Sequence, residues 1–167
     1  RRSVTGKGNF IDLALADSPL GTLGEFFVAN SATGYMQHPN GNLHSQYSPH
    51  GVFKCFGEDK WIAISITSHF QWERLKDEIS DIRLDNADYS HISGRKTHEQ
   101  AIIRIIEEWT SGKDAAELMG RLQAQGIPAA KVSNNLDVLE DAHLNEREYF
   151  AYFKTPEEKV EKYDGQA

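Results

Sequence analysis

The amino-acid sequence predicts an α+β fold: a small domain in which a short antiparallel hairpin packs on several helices. Two features predict it. Residues 51–56 (Gly-Val-Phe-Lys-Cys-Phe) and 61–66 (Trp-Ile-Ala-Ile-Ser-Ile) are β-branched and aromatic, with a polar turn between them. After them, apolar residues recur at helical spacing, each run opened by a capping signal. At 167 residues and 39% hydrophobic, the chain can bury a core for one domain or one and a half.

The elements follow in order. Arg1 to Gly8 forms a basic turn, and residues 9–16 alternate as a strand whose partners are absent, so the chain reads as beginning inside a larger fold. A short helix is expected between Asp17 and Gly34. Residues 33–50, rich in Gly, Pro, Asn and Ser with three His, form a long irregular connection. Ser68 with Gln71 is a capping box ahead of Trp72, Leu75 and Ile79. Thr97 with Gln100 repeats it ahead of Ile102, Ile105, Ile106 and Trp109, and Asp114 with Glu117 opens a third helix over Ala115, Leu118 and Leu122. Gly126 stops that helix, and Pro128 keeps residues 127–133 extended. Asn134 or Asn135 caps a short helix through Leu139, and Asp141 starts the last one. Residues 149–153 read as a strand, with a charged, mobile tail from Pro156. The expected division is 1–32, a segment of a preceding domain; 33–50, a connecting loop; 51–133, the small α+β domain; and 134–167, a return segment and tail. The expected core is Val52, Phe53, Ile62, Ile64, Trp72, Leu75, Ile102, Ile106, Trp109, Leu118, Leu122 and Val132.

Composition narrows the function. A net charge of −7 argues against nucleic acid or an anionic membrane as partner. No apolar run is long enough to span a bilayer. Cys55 is the single cysteine, which excludes an internal disulfide and points to a reducing cytoplasm.

Candidate chemistry is sparse. Thr5-Gly6-Lys7-Gly8 has the flavour of a phosphate loop, but it lacks the upstream Gly and the hydroxyl after Lys. A surface turn is the stronger reading. His38, His44 and His50 sit six residues apart in the loop, without the short spacings of a metal site, so no metal is expected. Cys55 shares a strand face with Phe53 and reads as a buried thiol rather than a nucleophile. Asp12 and Asp17 are available carboxylates, with structural roles as strong as chemical ones.

Taken in order, four stretches resemble the C-terminal half of the family III CoA-transferases, the CaiB/BaiF type. Residues 2–14, with Thr5-Gly6-Lys7-Gly8 before an apolar run, are similar to the family's Arg-x-x-Thr-Gly-Lys-Gly-Gln turn and strand. Gly41-Asn42 through Ser48-Pro49-His50-Gly51 resembles its Gly-Asn loop and strand entry, and residues 61–65 with Gln71-Trp72 its second hairpin strand and first small-domain helix. Residues 126–132 and 138–144 resemble its Gly-Val-Pro-x-x-Pro-Val and Asp-Pro-x-Leu stretches, though Lys131 stands where a second Pro is common. His50 stands where Tyr is common, and Leu43 to Tyr47 where some members carry a mobile glycine-rich loop.

The resemblance implies a strand of a large Rossmann-like domain ahead of the small domain, and CoA transfer from a thioester to a carboxylic acid. The family's nucleophilic aspartate lies upstream of the Thr-Gly-Lys-Gly turn, so no residue here is expected to be catalytic and the isolated chain is expected to be inactive. His44, Ser45, Gln46, Tyr47 and His50 are the residues expected on the substrate side. Coenzyme A and a small acid are the implied ligands, and a homodimer or self-associated form the implied assembly. A fragment of an α-methylacyl-CoA racemase, or a non-catalytic binding or oligomerisation module, stays open as an alternative.

Overall fold

The computed structural model describes residues 2–10, 12–15, 17–36 and 38–164. The chain divides into two compact units, Arg1–Gly41 and Asn42–Ala167.

The first unit holds helix α1 (Arg2–Thr5), a 3₁₀ turn (Ser18–Gly21) and helix α2 (Gly24–Thr33). Gly34 closes α2 in the left-handed region at φ 71°, which glycine enters without steric cost. The strand expected over residues 9–16 does not form among the described residues; Ile11 and Ala16 lie outside them. A strand persists only where its N–H and C=O groups find a ladder, and no other strand is described in this unit. Phe10, Leu13 and Leu15 are consequently exposed, and α2 buries none of its residues.

The second unit carries the core. Strands β1 (His50–Lys54), β2 (Trp61–Ser65) and β3 (Ala129–Lys131) form an antiparallel sheet with β2 in the middle. The register pairs Phe53 with Ile62 and Ile64 with Ala129. One sheet face, Phe53, Ile62 and Ile64, packs with helices α3 (His69–Ile79), α5 (Glu99–Thr110) and α6 (Ala115–Ala124) through Trp72, Leu75, Ile102, Ile106, Leu118 and Leu122. A short helix, α4 (Ile92–Thr97), precedes α5. Helices α7 (Asn135–Leu139) and α8 (Ala142–Glu146) follow β3, and a second hairpin pairs β4 (Phe150–Lys154) with β5 (Val160–Asp164). The fold is α+β, as the sequence predicts.

Side-chain caps explain the starts of α3, α6, α7 and α8, whereas α2, α4 and α5 have none. Ser68 accepts from Gln71 N while the Gln71 side chain accepts from Ser68 N, closing the capping box of α3. Asp114 accepts from Ala116 N and Glu117 N at 2.9 Å each, and Asn134 and Asp141 cap α7 and α8.

Several expectations are corrected. Thr97 is not a cap: it ends α4, and its hydroxyl donates to Ser93 O at 3.0 Å. Val52 faces away from the core because neighbours on a strand point to opposite sides, and Phe53 takes the inner face. Val132 lies beyond β3 and is half exposed, while Trp109 packs only at the rim of the core. The charged tail after Pro156 turns back as β5 rather than running free.

Candidate functional site

The loop 42–50 belongs to the second unit and is built around two buried residues. Ser48 is fully buried and leads into a cis peptide at Pro49. Arg95, only 2% exposed, donates to Ser48 O at 2.8 Å and to Tyr89 O at 2.9 Å, while Ser48 Oγ donates back to Arg95 O at 3.3 Å. The guanidinium also lies over the Trp72 ring, 5.2 Å from its centroid. Burial pushes its pKa down, with Glu73 opposing. A buried cation bonded to carbonyls ties the loop, the 3₁₀ turn Ala87–Ser90 and α3 together.

Gly94 makes this approach possible. The 3₁₀ turn passes so close that a Cβ on Gly94 would fall 1.7 Å from Asp88 O. The next residue but one, Lys96, donates to His44 O at 2.8 Å and pairs with Glu99, also at 2.8 Å. Glu99 is a buried carboxylate on the first turn of α5, and this ion pair is its charge partner.

Above this base sits a ring cluster. His44 stacks on Tyr47 with centroids 4.3 Å apart and lies 5.2 Å from the His50 ring. Its Nδ1 accepts from Gln46 N at 3.0 Å and Tyr47 N at 3.2 Å. His50 pairs in register with Ser65 across the outer sheet face, its Nδ1 2.9 Å from Ser65 Oγ. Burial lowers the His50 pKa and His44 lowers it further; Glu99 opposes them, and Lys96 adds the smallest effect, again a lowering. Ser45 and Gln46 are exposed at the tip.

The structure therefore brings His44, Tyr47 and His50 together and leaves Ser45 and Gln46 open to solvent. It adds Ser65, Arg95, Lys96 and Glu99, which the sequence reading did not single out. The arrangement can orient a polar ligand through imidazole, hydroxyl and amide groups. Its one buried carboxylate, Glu99, is committed to Lys96.

The other candidates fall elsewhere. Thr5-Gly6-Lys7-Gly8 follows the short helix α1 instead of opening one, so it lacks the amide-rich helix N-terminus that cradles phosphate. Lys7 N donates to Thr5 Oγ1 at 3.3 Å in a local turn. Asp12 and Asp17 are exposed. Cys55 is buried in the core, and burial, aided by Asp114, pushes its thiol pKa up, the opposite of an activated nucleophile. Among the described residues no three His, Cys, Asp or Glu side chains converge as a metal site, and no helix is long and apolar enough to cross a membrane.

Comparison with known proteins gives a consistent result. The family model described as CoA-transferase family III matches residues 1–165. A Mycobacterium tuberculosis protein named "Probable CoA-transferase" is 29% identical over 150 residues, covering 89% of this chain and 19% of that protein. The succinyl-CoA:mesaconate CoA-transferase of Haloarcula hispanica is 29% identical over 147 residues, covering 88% of this chain and 36% of that protein. A crystal structure of a CAIB/BAIF family protein from Brucella suis superposes with a TM-score of 0.76 at 24% identity, over 90% of this chain and 39% of that one. The chain thus spans well under half the length of each of these proteins.

Proposed function

The chain belongs to CoA-transferase family III, and on that premise we propose that it is the small-domain part of an enzyme moving CoA from a thioester donor to a carboxylic acid. The observation that carries this reading is the family match over nearly the whole chain. The substrates are a CoA thioester and a small acid; the Haloarcula relative is named for succinyl-CoA and mesaconate, which makes that pair the first to assay. In the family's chemistry a carboxylate nucleophile splits one difficult acyl exchange into successive easier ones, with oxyanions stabilised by donors placed in advance. No residue of this sequence matches that nucleophilic aspartate, so the chain contributes binding and orientation. The loop 42–50, with His44, Ser45, Gln46, Tyr47 and His50, is its substrate-facing part.

Assembly and location belong to the same proposal. The exposed Phe10, Leu13 and Leu15, and an α2 that buries nothing, support a homodimer or self-associated form. The single Cys55, buried and unpaired, fits a cytoplasmic enzyme.

The test is formation of new CoA thioester, followed by chromatography, from succinyl-CoA and a panel of acids. The chain alone is expected to stay at background. Joined to a large-domain half that supplies the aspartate, it is expected to turn over. Deuterium exchange at the carbon α to the thioester, without transfer between acids, would identify a racemase instead. Turnover by the chain alone that depended on one of its own carboxylates would refute the assignment of the nucleophile.

A further inference from the structure

His44 closes the loop with its own ring. Its Nδ1 accepts from the backbone N–H groups of Gln46 and Tyr47, two and three residues on, as an Asn or Asp oxygen does in a turn. A ring nitrogen that accepts two N–H bonds carries no proton, so the imidazole is the neutral tautomer with its hydrogen on Nε2. The ring is then fixed from each side. Tyr47 stacks on one face, His50 of β1 approaches at 5.2 Å, and Lys96 of α4 holds the His44 carbonyl while pairing with Glu99 of α5.

We propose that His44 is a positioning residue whose unprotonated Nδ1 latches residues 44–47, and that acid opens this latch. A proton from solvent that bonds to Nδ1 turns the acceptor into a donor. The Gln46 and Tyr47 amides then face an N–H instead of a lone pair, and both bonds are lost. Lys96, which holds the His44 carbonyl, is itself engaged by Glu99 at 2.8 and 2.9 Å. Burial lowers the pKa of His50, which works against its taking the proton in place of His44. The state of one ring nitrogen thus decides whether Gln46 and Tyr47 are held or free. The consequence for catalysis rests on the substrate-facing reading of this loop; the latch itself does not.

The experiment uses the full chain, isotope-labelled for NMR, in three forms: wild type, His44→Asn and His44→Ala. The Asn amide oxygen sits where Nδ1 does and accepts the same bonds, but it does not titrate. Histidine ring ¹⁵N shifts report the tautomer, and exchange protection of the Gln46 and Tyr47 amides reports the latch, from about pH 8 to about pH 5, where imidazoles titrate. Wild type is expected to show the Nε2–H tautomer at the upper end and to lose protection about tenfold at the lower end, the scale of one hydrogen bond. His44→Asn is expected to keep its protection throughout, and His44→Ala to lack it throughout. An Nδ1–H tautomer, protection that does not change with pH, or a His44→Asn form that titrates like wild type would each overturn the proposal. In the assembled enzyme, a kcat profile that follows the latch in wild type and flattens in His44→Asn supports its role in turnover. A latch that titrates while catalysis ignores it refutes the substrate-facing reading and leaves the latch standing.

Discussion

Gly94→Ala sets two physical effects against each other. By helix propensity alone, Ala in α4 is favoured over Gly by about 1 kcal/mol. The structure predicts the opposite sign. The added methyl would lie 1.7 Å from Asp88 O and 2.7 Å from the carbon bearing it, the first about half, and both well inside, the roughly 3.5 Å at which heavy atoms rest in contact. The obstacle is backbone, in a turn whose Tyr89 and Ser90 carbonyls both accept from buried Arg95, so no side chain can swing aside. Overpacking costs about 1–3 kcal/mol and a backbone obstacle belongs at the upper end, so after the propensity gain the net loss is about 2 kcal/mol. For a domain of this size that lowers Tm by about 4–8 °C. Thermal or urea unfolding followed by Trp fluorescence measures it, with Trp72 beneath Arg95 as a reporter. A Gly94→Ala protein as stable as wild type, or more so, would refute the close packing of α4 on the turn and with it the base of the loop.

Other outcomes follow from the same structure. Arg95→Met removes the donor to the Ser48 and Tyr89 carbonyls, and leaving two buried acceptors unpaired is expected to cost about 2–4 kcal/mol in a urea titration; a loss below the scatter of the measurement would deny the clamp. Asp81 is held down to about 2 by hydrogen bonds from Arg83, first from the guanidinium and then from its backbone N–H. A carboxyl depressed in the folded state adds stability above its ordinary pKa and loses it as pH falls through the folded value. The stability gap between wild type and Asp81→Asn is therefore expected to close between about pH 4 and about pH 2, and a gap that widens towards acid would contradict the pairing. Cys55 is expected to react with a thiol reagent only as fast as the protein unfolds; immediate labelling of the native protein would place it outside the core.

Much of the small domain is legible in the sequence because its signals are local. Ser68, Asp114, Asn134 and Asp141 each cap a helix within three residues of themselves, and the first hairpin announces itself by alternation and a polar turn. Thr97 carries the same local pattern and misleads, because a hydroxyl can equally bond back to a carbonyl four residues earlier inside a helix. The apolar alternation of residues 9–16 misleads for a different reason: a strand is defined by its partner, and alternation says nothing of one. In the site, the loop is legible from its composition, whereas Arg95, Lys96 and Glu99 reach it from about fifty positions away. One clue was readable. Glu99 falls on the face of Ile102 and Ile106, spaced at i, i+3 and i+7, and a carboxylate on an apolar stripe calls for a buried cation beside it.

The most direct test of the central claim, that the loop 42–50 faces the substrate of a CoA-transferase, is a kinetic comparison in the enzyme assembled with its large-domain half. His44, Ser45, Gln46 and Tyr47 are replaced together by Gly or Ala, and kcat and KM are measured with one CoA thioester donor across a panel of acids, alongside Tm. The account predicts a changed preference among acids or a lowered kcat with Tm nearly unmoved, since none of these four side chains belongs to the buried core. Kinetics unchanged for every acid would contradict it and leave the loop as a connection between domains.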